Sequence, residues 1–214
     1  MDLLRRCEGL YSAVVADALD AVGRRHQTLA PGFLPLGAGT RLAGRAATLR
    51  VEAVDELPDV PYTVQFAAVD ALEPDDVMVV AAPAAVGSAF WGELISTRAI
   101  AAGCRGAVVD GFARDVEAIR RHGFPLWARG THPADSAGRL EAVEAGGTIR
   151  CGGVTVSPGD IVLADADGVV VVPQALAEEI VERAEEKVCA EDRVRAALRA
   201  GAGVQETYDE HGVM

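Results

Sequence analysis

The sequence predicts an α/β fold, on three observations. Between Thr63 and Thr131 short valine-rich runs alternate with amphipathic stretches, the succession that builds βαβ units and at least part of a parallel sheet. From Asp135 to Pro173 the chain turns to short alternating β runs broken by Gly146-Gly147, Gly152-Gly153, Pro158-Gly159 and Asp167-Gly168, pairs suited to hairpins and turns in an antiparallel or mixed layer. A charged segment with helical periodicity then runs from Gln174 to about Ala200. No composition break separates these parts, so a single domain over 1–214 is expected, with two sheets sharing one core.

In chain order, Ser12 is placed to cap a helix whose Val14, Val15, Ala18, Leu19 and Val22 share a face and which ends at Gly23. The Pro- and Gly-rich stretch from His26 to Thr40 reads as a surface loop. Arg41 to Val54 alternates polar and apolar residues as a strand with one wet face, and Gly44 within it marks a bulge or a close backbone approach. Thr63 to Leu72 is helical, and Glu73-Pro74-Asp75-Asp76 turns the chain into the doubly covered strand VMVVAAP. Ser88 to Gly103 reads as a helix on the strength of Leu94, Ile95, Ala99 and Ile100. Ala107 to Val109 is a buried strand, Asp110 to Ala113 a loop, Val116 to His122 a helix stopped by Gly123, and Phe124 to Thr131 a short strand with its exit loop. A helix from Gln174 to Ala200 would span roughly 40 Å, enough to rest partly on a neighbouring subunit or to fray after Cys189, and the polar residues 200–214 are expected to be loosely held.

Composition narrows the function. Half the residues are hydrophobic and 24% are charged, as in a globular protein, while the net charge of −12 argues against a broad nucleic-acid surface. Cys7, Cys104, Cys151 and Cys189 form no CxxC pair, so reduced, packed thiols are expected. Charges sit where a signal peptide would need an apolar core, and no apolar run approaches the ~20 residues that span a bilayer. A cytoplasmic protein without membrane contact is the expectation.

The chemistry is concentrated at two junctions. Arg114 and Asp115 lie side by side after the Ala107–Val109 strand. Arginine grips a carboxylate through paired hydrogen bonds, and aspartate is a hard oxygen ligand, so the two suit an anionic substrate held against a divalent cation. Asp115 is equally a good cap for the helix that follows. The second junction, Gly92-Glu93-Leu94-Ile95, offers free N–H groups at a helix start, the usual seat of an anion. Glu93 either satisfies that helix start itself or orients water on a cation. One protein ligand, Asp115, with water and substrate oxygens completing the shell, suits Mg²⁺ or Mn²⁺ rather than zinc. His132 stands alone as a loop histidine, and Asp165 and Asp167 belong to a turn. The chain lacks GxGxxG, Walker, GxSxG and HExxH motifs.

Taken together, GELISTRAIAAGCRGAVVDGFARD, GFPLWARGT, VSPGDIVLADADGVVVVP and the charged C-terminal helix, with DALDAVG and RLAGRAATL upstream, resemble the RraA-like family. That family holds the regulators of ribonuclease E activity A and the class II 4-hydroxy-4-methyl-2-oxoglutarate aldolases. The resemblance implies a β/β/α swivelling-domain fold, with mixed sheets flanked by helices and a long C-terminal helix, assembled as a homotrimer or a hexamer with sites between subunits. It implies that Gly92, Glu93, Leu94 and Ile95 bind the pyruvyl group, that Arg114 binds substrate and stabilises developing charge, and that Asp115 holds the divalent metal. Glu93, and Glu191 from a neighbouring subunit, would act as further catalytic carboxylates. The implied activity is a metal-dependent lyase that releases pyruvate from a 2-oxo acid by retro-aldol cleavage, and that decarboxylates oxaloacetate. The alternative within the same family is a non-catalytic regulator that binds a ribonuclease or another protein.

Overall fold

The computed structural model describes residues 2–39 and 41–213. Two short helices, α1 (Leu3–Cys7) and α2 (Ser12–Ala21), precede a long loop carrying β1 (Leu34–Pro35). Then follow β2 (Leu42–Ala53), α3 (Thr63–Asp70), β3 (Asp76–Ala81), β4 (Ala89–Trp91), α4 (Glu93–Ala101), β5 (Gly106–Ala113), α5 (Val116–Arg121) and β6 (Leu126–Thr131). The remainder is β7 (Leu140–Ala145), β8 (Ile149–Cys151), β9 (Val154–Val156), β10 (Ile161–Ala164), β11 (Val169–Val172), α6 (Ala177–Arg199) and α7 (Val204–His211).

The predicted parallel units are present. Strands β2, β3, β5 and β6 lie parallel side by side, with β4 added parallel to the end of β5. The turns of the later half predict a second sheet sharing the core, but β7 and β10 both pair with β2 and join the main sheet. Among the described residues one nine-stranded mixed sheet results, in the order β1-β6-β5-β3-β2-β10-β11 with β4 beside β5 and β7 beside β2, and the β8–β9 hairpin stands apart.

Side-chain alternation sorts the core into layers. On β3, Val77 and Val79 face a cluster with Ile149, Val154 and Val156 of the hairpin, while Met78 and Val80 face Val69 of α3, Ala99 of α4 and Ile119 of α5. On β10, Val162 joins the hairpin side, and Leu163 packs with Leu19 of α2 and Ile180 of α6. The hairpin, the main sheet and the helices are thus the three layers of a β/β/α swivelling-domain fold.

Several local expectations are corrected. Tyr11, not Ser12, occupies the cap position of α2, and Ser12 as first helical residue donates its N–H and hydroxyl to the Asp165 carboxylate at 2.7 and 2.6 Å. A side chain distant in sequence therefore caps that helix. Ser88 to Gly103 is not all helix, since Ala89–Trp91 pairs with β5, and Asp110 to Ala113 continues β5 instead of looping out. The strand β2 is more buried than an alternating pattern implies, because helices and hairpin cover its two faces. Gly44 is a close approach: a Cβ there would stand 2.5 Å from the Asp75 carbonyl oxygen. Residues 204–211 form α7, which returns along α6 and buries Thr207, so some of the surface expected to rest on a neighbouring subunit is covered within the chain. Cys7, Cys104 and Cys151 are buried and unpaired, and Cys189 is exposed and unpaired. Burial pushes the Cys7 thiol up to about 11. No helix among the described residues is long and apolar enough to cross a membrane.

Candidate active site

The two junctions singled out in the sequence meet. Strand β4 runs beside the end of β5, and the Arg114 N–H donates to the Trp91 carbonyl at 2.9 Å. This bond fixes the exit of β5 against the turn at Gly92. Trp91 is fully buried, its indole N–H donates to Ser96 Oγ at 2.8 Å, and Ser96 Oγ donates to the Gly92 carbonyl at 2.9 Å. The start of α4 is therefore clamped from within.

Gly92 is the cap of α4, in an extended conformation with φ −148°. The first helical bond is from the Ser96 N–H to the Gly92 carbonyl, so the N–H groups of Glu93, Leu94 and Ile95 precede the helical ladder. The absent side chain at Gly92 makes the room. A Cβ there would lie 3.0 Å from Asp115 Oδ2 and 3.4 Å from Arg114 Cγ.

Asp115 occupies the cap position of α5 but makes no side-chain cap bond to it. Its backbone is left-handed, φ 58° and ψ 28°, a conformation that costs a non-glycine residue about 1–3 kcal/mol. That conformation turns the carboxylate away from its own helix and towards α4, where Oδ2 stands 3.5 Å from the Glu93 N–H. Arg114 lies between two carboxylates, Nε 3.6 Å from Asp115 Oδ2 and Nη2 3.5 Å from Asp135 Oδ1. All these groups line one cleft of about 360 Å³, whose remaining wall includes Tyr62, Phe66, Phe90 and Leu94.

Asp135 is the site residue that sequence reasoning passed over. It reaches the cleft because residues 134 and 135 pair with β4: the Ala89 N–H donates to the Ala134 carbonyl, and Ala89 and Asp135 form a parallel bridge. Asp135 Oδ1 also accepts from the Ser136 N–H at 2.7 Å. Tyr62 stacks on Phe66 with ring centroids 5.4 Å apart, and its phenol is pushed up by burial and then by the Asp135 charge.

Glu93 lines the same cleft, with its carboxylate engaged on the helix side. Oε1 accepts from Thr97 Oγ1 at 2.8 Å and lies 3.7 Å from His122 Nδ1. Glu191 is not brought to the cleft within one chain. It accepts a hydrogen bond from the Tyr11 hydroxyl and lies 3.8 Å from Lys187 and 3.9 Å from Arg195. Asp165 takes the structural role its turn suggested, and His132 accepts the Ala134 N–H on Nδ1 at 3.1 Å.

Among the described residues no three His, Cys, Asp or Glu side chains group as a closed metal cage. The donor set suits an open site instead: a half-exposed Asp115 carboxylate, unused by its own helix, in a cleft with room for water and substrate oxygens.

A family model described as RraA-like, Aldolase/RraA, matches residues 12–171. A protein of Halalkalibacterium halodurans provisionally named 4-hydroxy-4-methyl-2-oxoglutarate aldolase is 31% identical over 195 residues, 91% of this chain and 87% of its own length. DlpA of Legionella pneumophila is 28% identical over 98% of this chain, which spans about a third of that relative, 34% of its length. The crystal structure of Streptomyces coelicolor RraAS2, described as an unusual member of the RNase ES inhibitor RraA family, superposes with a TM-score of 0.79 at 32% identity, covering 90% of this chain and 95% of that one.

Proposed function

The chain belongs to the RraA-like family, and on that premise we propose that it is a divalent-metal-dependent carbon-carbon lyase that releases pyruvate from 4-hydroxy-2-oxo acids and from oxaloacetate. The observation that carries this reading is the convergence of Arg114, Asp115 and the α4 start at Gly92 in one cleft. Arg114, partly exposed, stands 3.6 and 3.5 Å from two carboxylates without closing a paired hydrogen bond on either, which leaves its fork for an incoming anion.

Asp115 would hold Mg²⁺ or Mn²⁺. When bound, that cation supplies Lewis acidity towards the 2-oxo group. The N–H groups of Glu93, Leu94 and Ile95, at the positive end of α4, orient the pyruvyl carboxylate. Arg114 binds the same anion and offsets the negative charge that develops on the 2-oxo oxygen as the carbon-carbon bond breaks. Gly92 lets those partners approach. Glu93 Oε1, backed by the Thr97 hydroxyl and His122, is the carboxylate within the chain that takes and returns a proton. Glu191 joins it only across a subunit boundary, in the homotrimer or dimer of trimers we propose for the family member.

Pyruvate release from oxaloacetate and from 4-hydroxy-4-methyl-2-oxoglutarate, followed with Mg²⁺ or Mn²⁺ and again with chelator, tests the reading. Metal-dependent turnover supports it, and absent or metal-independent turnover on both overturns it. The kinship with RraAS2 favours a second reading, a regulator that binds another protein, which would fold and assemble normally while releasing no pyruvate.

A further inference from the structure

We infer that Tyr62 is a substrate-binding residue of the cleft, its phenol hydroxyl donating a hydrogen bond to the same pyruvyl anion that Arg114 grips. The inference rests on the lyase reading and deepens it.

The backbone singles this residue out. Among the described residues, three that are not glycine stand on a left-handed backbone: Tyr62, Asp75 and Asp115. Aspartate visits that region more readily than most residues, because its short polar side chain can bond locally. Asp75 is accounted for by its turn, where its carboxylate pairs with Arg105 at 2.6 Å and its carbonyl accepts the Arg45 N–H at 2.9 Å. Tyrosine gains no such local bond, so φ 64° and ψ 7° at Tyr62 is strain.

Strain of this kind persists only where the surroundings over-determine it, and it gathers at sites that bind. The Tyr62 N–H donates to Glu141 Oε1 of β7 at 2.9 Å. Its carbonyl accepts from the Phe66 N–H at 2.8 Å, and its ring stacks on Phe66. Backbone and ring are thereby fixed, and none of these contacts uses the hydroxyl.

Tyr62 lines the cleft together with Arg114, Asp115 and Asp135. Burial pushes its phenol up, as do the charges of Asp135 and then Glu141, while Arg114 draws it down. Arg114 turns Nε to Asp115 and Nη2 to Asp135, so a phenol that feels Asp135 and Arg114 together lies on the Nη2 flank. Asp135 Oδ1 already accepts from the Ser136 N–H at 2.7 Å, and Glu141 Oε1 from the Tyr62 N–H. An anion drawn to Nη2 finds only acceptor oxygens on Asp135. The neutral phenol, a donor throughout the neutral pH range, offsets them with a charge-assisted hydrogen bond.

Tyr62→Phe tests this, because it keeps the ring and its stacking and removes the hydroxyl alone. In full-length protein with Mg²⁺ or Mn²⁺, KM for oxaloacetate and for 4-hydroxy-4-methyl-2-oxoglutarate is expected to rise about tenfold, with kcat held within about twofold. A bond to a carboxylate that takes no part in the cleavage is made equally in ground and transition states, so its loss falls on KM. The calorimetric Kd for pyruvate is expected to rise by the same factor, since substrates and product share that carboxylate, and the thermal melt is expected to stay in place. Unchanged KM and pyruvate Kd, with wild-type turnover intact, overturn the inference and leave the lyase reading standing. A lowered melting temperature, or a loss confined to kcat, overturns it as well, by giving the hydroxyl a structural or a transition-state role. A wild-type protein that neither releases pyruvate nor binds it overturns both.

Discussion

Asp115 Oδ2 lies 3.5 Å from the backbone N–H of Glu93, so a side chain at the start of α5 is aimed at the start of α4 and not at its own helix. The left-handed backbone at Asp115 produces that aim, and the missing side chain at Gly92 leaves room for it.

Asp115→Asn tests what the carboxylate is for. Asparagine tolerates the left-handed conformation and is nearly isosteric, so the melting temperature should move little. Titration calorimetry with Mn²⁺ should lose its binding isotherm, because a neutral amide is a poor ligand for a hard cation.

Arg114→Lys keeps the charge and discards the fork. A lysine cannot bind a carboxylate through paired hydrogen bonds, and turnover should fall by on the order of 10²–10³-fold, as when one transition-state donor is removed. Steady-state kinetics should place most of the loss in kcat/KM. An unchanged value would remove Arg114 from the chemistry.

Gly92→Ala separates site from fold. At φ −148° any residue is allowed, so thermal stability should be nearly preserved. The new methyl group would sit 3.0 Å from Asp115 Oδ2 and push it aside. Displacement of this size should lower turnover by about 10²-fold, read from pyruvate release beside an unchanged circular-dichroism melt.

Asp165 governs acid stability. Burial raises its pKa, but hydrogen bonds from Ser12, Asp167 and Gly168 outweigh this and hold the carboxyl below its ordinary value of 3.8. A carboxyl depressed in the folded state stabilises the fold above the unfolded value, and that contribution is lost as pH falls through the folded value. The wild-type chain should therefore lose stability on acidification below about pH 4. Asp165→Ala should cost about 3 kcal/mol at pH 7, by stranding the Ser12 and Asp167 donors, and should flatten the acid limb in denaturant titrations.

Arg114-Asp115 and Gly92–Ile95 were legible in the sequence because each sits at a local signal, a buried strand or a closing glycine beside a helix start. Asp135 was not, since its place depends on a bridge to Ala89 across the fold. The same long-range pairing made Ala89–Trp91 a strand, although Ala-Phe-Trp alone is compatible with helix. Helix α7 was legible in principle: Val204, Thr207, Tyr208 and His211 recur at helical spacing, a pattern masked by the charges around them. The engagement of Glu93 with Thr97 follows from their four-residue separation on α4, but His122 joins them only through the packing of α4 on α5.

The strand β2 is edged by β3 on one side and by β10 and then β7 on the other, so its twelve residues are the seam between the parallel strands in the middle of the chain and the antiparallel strands that come later. Neither set of strands can complete the sheet until partners distant in sequence have met there. That makes refolding a slow, non-local event. A cut in β2 should abolish both halves together, whereas a cut in the exposed 55–60 loop that follows it should be tolerated.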